Sequence, residues 1–152
     1  MGAAGEDDRA GVRLQLARIA GTLPDGFDAL RAEADVEGHR HMARLAIEMA
    51  ETPEIFLALL AAFEGGELVG IGGMTVEPTE PAAIRMRRLY VAKAARGRGV
   101  ARAITSALLN EALGQTLLVT VHAGNPGAER FWKAMGFSSV DDRPWSHQFA
   151  AH

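Results

Sequence analysis

The chain has 152 residues, 48% hydrophobic and 23% charged, a composition typical of one globular domain. Its formal net charge of −3 argues against a nucleic-acid partner, because nucleic-acid-binding surfaces carry an excess of lysine and arginine. The absence of cysteine from the sequence excludes disulfides, thiolate zinc sites and a cysteine acyl-enzyme. These features favour a cytoplasmic enzyme or binding module.

The first third of the chain predicts a flexible segment, one strand and two helices. Residues 1–11 are rich in glycine, alanine and aspartate, and they lack the basic start and apolar core of a signal peptide. Residues 12–19 alternate apolar and polar side chains, which indicates a strand. Helices are predicted within residues 23–35 and 37–51, and Pro53 ends the second.

The middle of the chain has the pattern of a β-hairpin. Residues 55–63 form an apolar arm, residues 64–67 a glycine-containing turn, and residues 68–78 a second arm. The first arm is far shorter than the ~20 apolar residues that a membrane-spanning helix needs, so no membrane partner is expected. Gly72 and Gly73 predict either a bulge in the second arm or the close approach of another backbone.

The rest of the chain alternates between strands and helices, without repeats or a linker. The predicted elements are a strand over 82–92, a turn rich in glycine and arginine, a helix to about Leu113, a strand over 116–123, a helix over 125–136, and two short strands over 137–140 and 145–151. Residues 12–152 are therefore predicted to form one domain of mixed α/β type.

The strand over 82–92 changes its alternation partway along. Ile84 and Met86 are apolar at even positions, whereas Leu89 and Val91 are apolar at odd positions. Because strand side chains alternate with period two, the phase slips by one near residues 87–88. A β-bulge adds one such residue, although an arginine in an apolar-facing position at a sheet edge is the alternative. A bulge would leave main-chain amides free to donate to a ligand carbonyl.

The turn before the long helix predicts an anion site. A helix N-terminus exposes unpaired N–H groups and carries partial positive charge. Gly97 and Gly99 allow a ligand to approach the main chain, and Ala101 keeps the first helical turn narrow. Arg96 and Arg98 carry forked donors that suit phosphate oxygens. The alternative is an ordinary glycine turn with solvated arginines.

Two motifs resemble those of a known family. The stretch RGRGVA at residues 96–101 matches the signature Q/R-x-x-G-x-G/A of the GNAT superfamily of N-acetyltransferases. The stretch NPGAERFWKAMGF at residues 125–137 is similar to the family segment N-x-x-A-x-x-F/L-Y-x-x-x-G-F. No Walker sequence occurs, and Arg102 stands where a dinucleotide fingerprint needs a third small residue. The resemblance, which covers residues 83–137, implies a single-domain GNAT fold: a mixed, mostly antiparallel sheet of about six or seven strands with a bulged fourth strand, flanked by about four helices.

The resemblance also implies acetyl-CoA as the cofactor. On the family's template, its pantetheine pairs with backbone at the end of the fourth strand, and its pyrophosphate is held by the amides of residues 96–101. Asn125 contacts the pantetheine arm or caps the helix that follows, or both. The implied cofactor-binding residues are Leu89, Tyr90, Val91, Arg96, Gly97, Arg98, Gly99, Val100, Ala101, Asn125, Ala128 and Trp132.

The groups that would transfer protons are less evident. The family often places a tyrosine acid where this chain has Trp132, and indole cannot supply a proton at a useful pKa. The candidates are Tyr90 and Glu77. Strand alternation points the Tyr90 side chain away from the face of Leu89 and Val91. For Glu77 the alternative is a solvated residue at the end of a strand. A water chain could also serve as the base. His122 ends a strand beside the expected cleft, where it could touch substrate or be structural.

The remaining charged groups permit several interpretations. Arg85, Arg87 and Arg88 could face an acidic acceptor or the 3′-phosphate of coenzyme A, or they could be surface charge. His39 and His41 are two residues apart on a predicted helix and so do not share a face, and no metal site is expected.

The leading hypothesis is an acetyl-CoA-dependent N-acetyltransferase that acts on an amine of a small molecule or peptide. The first alternative is a non-catalytic acyl-CoA-binding or sensing module, which Trp132 and the missing strand carboxylate favour. The second is a phosphate-binding domain of unrelated fold. The aromatic segment at residues 143–149 makes a homodimer through the late strands plausible.

Overall fold

A seven-stranded sheet forms the centre of the computed structural model, which describes residues 13–151. The predicted flexible segment, residues 1–11, lies outside the described residues. The strands are β1 (Leu14–Arg18), β2 (Phe56–Glu64), β3 (Glu67–Glu77), β4 (Glu80–Val91), β5 (Leu118–Val121), β6 (Ser138–Ser139) and β7 (His147–Ala150). Their order is β1-β2-β3-β4-β5-β7-β6, and only β4 and β5 pair in parallel. The predicted mixed, mostly antiparallel sheet is confirmed.

Four α-helices cover the two faces of this sheet, as predicted. They are α1 (Phe27–Val36), α2 (His41–Glu51), α3 (Val100–Leu113) and α4 (Pro126–Ala134). Pro53 begins a short 3₁₀ turn after α2, because proline cannot continue the α-helical hydrogen-bond ladder. Among residues 13–151, no helix is long and apolar enough to cross a membrane.

Two apolar clusters, one on each face, hold the helices to the sheet. Helices α3 and α4 pack on one face, where Ile104 of α3 and Trp132 of α4 are buried with apolar side chains of β2 to β5. Helices α1 and α2 pack on the other face, where Met42 and Leu45 are fully buried. Strands β2, β3 and β4 therefore have buried apolar side chains on both faces, and this fixes their register.

Glycines in β3 let α3 lie close to the sheet. A Cβ atom on Gly72 would lie 2.8 Å from Cγ2 of Ile104, and one on Gly70 would lie 2.9 Å from Cγ1 of Val100. Real Cβ atoms do not approach so closely, so a side chain at either position would push the helix away. Side chains of α3 thus make the close approach at Gly72, where the sequence predicted the approach of a backbone or a bulge.

The predicted bulge in β4 is present. Arg87 pairs with Gly73, but Tyr90, three residues further along, pairs with Ile71, only two residues back. One extra residue therefore lies in β4. Arg88 has a φ of 63°, the one positive φ outside glycine in the part of the chain that the structure describes. The bulge reverses the alternation of β4, as the apolar pattern of the sequence indicated.

Candidate active site between two diverging strands

A cleft opens where β4 and β5 separate. The two strands pair only at Ile84–Val119 and Arg85–Thr120, after which β4 continues to Val91 while β5 ends at Val121. The cleft has a volume of about 380 Å³. Its walls include Met86, Arg87, Arg88, Leu89, Tyr90 and Val91 on one side and Val121, His122, Asn125, Ala128, Phe131 and Trp132 on the other.

The glycine turn lies at one end of this cleft and leaves the start of α3 open. Gly97 and Gly99 have φ values of 83° and 84°, and a Cβ atom on either would meet no atom within 4 Å. The first main-chain N–H groups of a helix have no partner within the helix. In α3 no side chain within residues 13–151 caps them either. A second cavity, of about 390 Å³, lies over the turn and shares Val91 and Ala101 with the cleft. The turn can therefore donate hydrogen bonds to an anion.

The arginines of the turn are engaged elsewhere, which the sequence did not indicate. The Arg96 guanidinium donates to the Glu37 carboxylate at 2.6 and 3.1 Å and to the Val91 carbonyl at 3.0 Å. The hydrogen bonds from Arg96, together with one from the Tyr90 hydroxyl, lower the pKa of Glu37 to about 2. Arg98 donates to Glu64 at 2.5 Å. Anion binding here would consequently depend on main-chain amides more than on free guanidinium groups.

The wall opposite β4 is aromatic, and its helix is capped. Asn125 is the N-cap of α4: its side-chain oxygen accepts a hydrogen bond of 2.8 Å from the amide of Ala128. Trp132 is only 8% exposed and packs edge-to-face against Phe131 and Phe137. Its indole therefore forms a rigid part of the wall.

Tyr90 faces away from this wall. Its side chain is buried in the cluster beneath α1 and α2, and its hydroxyl lies 2.7 Å from Glu33 and 2.8 Å from Glu37. Burial, together with these two carboxylates, raises the pKa of Tyr90 well above its ordinary value of 10. A phenol held in this way is a poor proton donor to the cleft.

Glu77 is buried, in contrast to the solvated strand end that the sequence permitted. Its side chain is 1% exposed, and its Oε1 atom accepts a hydrogen bond of 2.7 Å from the Thr120 hydroxyl. Nε2 of His122 lies 3.1 Å from the same oxygen. Burial alone would raise the pKa of Glu77, but hydrogen bonds from Thr120 and His122 outweigh it and hold that pKa below its ordinary value. Glu77 is therefore an ionised group beneath the cleft.

His122 lines the cleft and contacts the buried carboxylate of Glu77. Val119 and Val121 point into the α3 cluster, so Thr120 and His122 lie on the opposite face of β5, with Glu77. The alternation within TLLVTVHA contained this signal. The partner could not be inferred, because Glu77 is 45 residues away in the chain.

Three arginines of β4 line the cleft near the point where β4 and β5 separate. Arg88 is 6% exposed and makes a two-pronged ion pair with Glu48 of α2, at 2.8 and 2.6 Å. Burial opposes ionisation of Glu48, but the hydrogen bonds and charge of Arg88 lower the pKa of its carboxyl group. Arg85 and Arg87 are half-buried beside this pair.

Comparison with known proteins gives a family for this architecture. The model of the Acetyltransferase (GNAT) family matches residues 23–137. No curated protein matches the sequence significantly.

Solved structures share the fold. A provisionally assigned acetyltransferase from Exiguobacterium sp. 255-15 superposes with a TM-score of 0.79 at 21% identity, over 91% of this chain and 93% of that one. A GNAT-family acetyltransferase from Staphylococcus aureus Mu50 gives 0.72 at 10% identity, over 91% and 98%. Ard1 from Thermoplasma volcanium gives 0.68 at 18% identity, also over 91% and 98%. With its family match, its bulged fourth strand and its splayed cleft, this chain belongs to the GNAT family of acetyltransferases.

Proposed function

We propose that this protein is an acetyl-CoA-dependent N-acetyltransferase that moves an acetyl group from the thioester to an amine of a small molecule or peptide. The supporting observation is that the cleft between β4 and β5 leads to the uncapped start of α3. A long ligand with a diphosphate near its middle and a thioester at one end suits such a cleft. The diphosphate would lie on main-chain N–H groups and the thioester would lie between the strands.

The main chain would provide most of the contacts to acetyl-CoA. The amides of residues 97–101 are available to the pyrophosphate, whereas the amide of Arg96 donates to the Lys93 carbonyl at 3.3 Å. The β5-facing edge of β4 at Leu89 and Val91 has no strand partner among the described residues, so it can pair with the pantetheine arm. A main-chain N–H at the bulge would stabilise the negative charge that develops on the thioester oxygen.

His122 is the group that we assign to accept the proton of the amine. The amine nitrogen attacks the thioester carbon, the C–N bond forms, the C–S bond breaks, and the nitrogen loses one proton. The His122 side chain is 33% exposed, lines the cleft and contacts Glu77 with Nε2. The ionised Glu77 would orient the imidazole, a positioning role like that of the carboxylate in other His-carboxylate pairs.

The thiolate would leave without a phenolic acid in this proposal. The tyrosine of the family segment is replaced by Trp132, and the hydroxyl of Tyr90 is held by Glu33 and Glu37. A model thiol has a pKa of about 8.5, so a thiolate is a far better leaving group than an alkoxide. Solvent that enters the open cleft can protonate the thiolate after departure.

A non-catalytic acyl-CoA sensor is the second candidate, and Trp132 at the acid position favours it. The two functions differ in turnover but not in cofactor binding. Thiol release from acetyl-CoA would therefore be measured with a broad panel of amines. Amine-dependent release supports the transferase, and tight binding of coenzyme A without release by any amine would indicate the sensor.

The cofactor site can be tested in the same assay with Ala101→Glu. Ala101 lies in the first turn of α3, so the substitution places a carboxylate beside the predicted phosphate position. We expect the affinity for coenzyme A to fall by roughly tenfold to a hundredfold, the cost of one or two charged contacts. Asn110→Glu, which adds the same charge at an exposed position of the same helix, should leave the affinity unchanged.

A further inference from the structure

The charges do not balance at the end of the cleft where β4 and β5 are still paired. Arg85, Arg87 and Arg88 line the cleft there, and the carboxylates that act on them are those of Glu48 and Glu77. Three guanidinium groups therefore face two carboxylates, and neither carboxylate makes its closest contact with Arg85 or Arg87. Arg88 takes both oxygens of Glu48, while Glu77 accepts hydrogen bonds from Thr120 and contacts His122.

Two of the arginines are left with weak or no partners. The Arg87 guanidinium lies 3.9 Å from Glu48 and makes a long hydrogen bond of 3.4 Å to the Thr75 hydroxyl. The Arg85 side chain makes no hydrogen bond or ion pair within residues 13–151, although the more distant Glu77 and Glu48 act on its charge. The Nε atoms of Arg85 and Arg87 are both buried without a hydrogen-bond partner in that range. Such groups carry a desolvation cost that a ligand anion would offset.

The two side chains are placed to act together. Arg85 and Arg87 are two residues apart on one strand, so they lie on the same face about 7 Å from each other. Arg85 pairs in register with Thr120 of β5, and the next residue on that face of β5 is His122. An anion held by the two guanidinium groups would therefore be close to the proposed proton acceptor.

This pair lies at the wrong end of β4 to serve the cofactor's phosphates. Arg85 precedes Val91 by six residues, or about 20 Å of extended strand, and the glycine turn lies beyond Val91. The phosphates of coenzyme A would lie at that turn, and the thioester would lie between the turn and Arg85. The arginine pair is thus on the side from which the amine would enter.

We propose that the acceptor is an amine that carries a carboxylate, which Arg85 and Arg87 bind while the amine nitrogen lies at His122. The planar fork of guanidinium matches the two oxygens of a carboxylate, and two forks on one face would hold it in one orientation. This inference rests on the proposed function, since it names the substrate class of the same site. Either the α-carboxylate of an amino acid or an acidic side chain of a peptide has this chemistry.

A binding experiment tests the inference without turnover. The probes are N-acetylglycine, N-acetyl-β-alanine and N-acetyl-γ-aminobutyrate, in which one, two or three carbons separate nitrogen and carboxylate. Each is compared with its neutral primary amide by calorimetry in the presence of coenzyme A. We expect at least one acid to bind tenfold to a hundredfold more tightly than its amide, the range expected for a charged hydrogen bond.

Variants connect this preference to the arginine pair. Arg85→Gln and Arg87→Gln should each remove most of the preference for the acid, and Arg85→Lys should restore part of it by keeping the charge. Arg31→Gln is the matched control, because Arg31 is exposed on α1 and its ion pair, at 3.7 Å, is with the exposed Asp35. Melting temperatures of all variants verify that the fold is retained, and each glutamine variant provides an independent test.

A kinetic comparison then identifies the source of the carboxylate. Glycine, β-alanine and γ-aminobutyrate are compared with their amides, with a peptide amide that begins with aspartate, and with O-phosphoethanolamine. The inference would be overturned if acids and amides bound equally, or if the preference for the acid survived in both glutamine variants. It would also be overturned if thiol release were faster with O-phosphoethanolamine than with every carboxylate. Arginine-dependent binding of the acids without thiol release from any amine would contradict the transferase and leave the carboxylate site standing. Thiol release with neutral amines alone would support the transferase and contradict the carboxylate site.

Discussion

Nε2 of His122 lies 3.1 Å from Oε1 of Glu77, a carboxylate that is buried beneath the cleft. Thr120 donates to the same oxygen, so the carboxylate remains ionised despite its burial. Histidine that is oriented by an ionised carboxylate can accept a proton from a bound amine. In the proposed reaction His122 is therefore the proton acceptor, since β4 carries no carboxylate where it lines the cleft.

Replacement of His122 should therefore slow the chemical step. We expect His122→Gln to lower kcat by about 10² to 10⁴, the usual contribution of a general base, without changing the affinity for coenzyme A. Glu77→Gln keeps an acceptor but removes the charge, and it should cost less, roughly tenfold. The measurement is steady-state thiol release over a range of pH. Glu67→Gln, at the exposed hairpin turn, is the control, and an unchanged kcat in His122→Gln would refute the assignment.

Trp132 should matter for packing and not for proton transfer. Trp132→Phe keeps an aromatic ring against Phe131 and Phe137, so we expect kcat within about tenfold of the parent and a lower melting temperature. Trp132→Ala should destabilise the fold by about 3–5 kcal/mol. Phe137→Leu, in the same aromatic cluster, controls for packing loss. A hundredfold fall in kcat for Trp132→Phe with intact cofactor binding would instead give the indole a direct role in the reaction.

The ion pair between Glu48 and Arg88 should stabilise the fold. Removing one partner leaves a buried charge uncompensated, so Glu48→Gln should cost about 3 kcal/mol in the free energy of unfolding. Asp35→Asn, which breaks the exposed pair with Arg31, should cost less than about 1 kcal/mol. Chemical denaturation measures both changes. Equal costs in the two variants would contradict a stabilising role for the buried pair.

The same pair should make stability depend on pH. Arg88 lowers the pKa of Glu48 in the folded protein below its ordinary value of 4.5. The unfolded chain therefore binds the proton first, and the stabilisation is complete above pH 4.5 and is lost as the pH falls towards the folded value. The parent should lose stability faster than Glu48→Gln below pH 4.5. Parallel curves of unfolding free energy against pH would be the contrary result.

Gly72 should not tolerate a methyl group. Gly72→Ala places a Cβ atom 2.8 Å from Ile104 and 3.1 Å from Leu89, so α3 must shift. We expect a loss of about 1–3 kcal/mol, as for other overpacked cores. Gly124→Ala meets no atom within 4 Å and should be nearly neutral. Thermal unfolding of the two variants, compared with the parent, measures the difference.

Much of the fold could be predicted from local patterns. The slip in alternation along β4 identified the bulge, because period two is a property of the strand itself. The order of strands and helices and the glycine turn were evident for similar reasons. Ile47 shows the limit: its side chain is apolar and lies in α2, yet it is 55% exposed, away from the face that packs on the sheet. Met42 and Leu45 already fill that face.

Contacts between distant segments could not be predicted. Arg96 and Arg98 have the composition of a phosphate site, but Glu37 and Glu64, far earlier in the chain, hold their guanidinium groups. The sequence around Glu77 is also compatible with a solvated strand end. Its burial could not be predicted, because Thr120, which donates to its carboxylate, lies on the distant strand β5. A single sequence does not encode such pairings in any local period.

The proposed function requires that main-chain N–H groups at the start of α3 hold the diphosphate of coenzyme A. Titration of ¹⁵N-labelled protein with coenzyme A measures this most directly, through the amide resonances of Gly97, Gly99 and Ala101. We expect these resonances to shift the most, and we expect pantetheine, which lacks the diphosphate, to leave them in place. Ala101→Glu should weaken the response to coenzyme A. Saturable binding of coenzyme A with these three resonances unmoved, or no binding at millimolar concentrations, would contradict the proposed function.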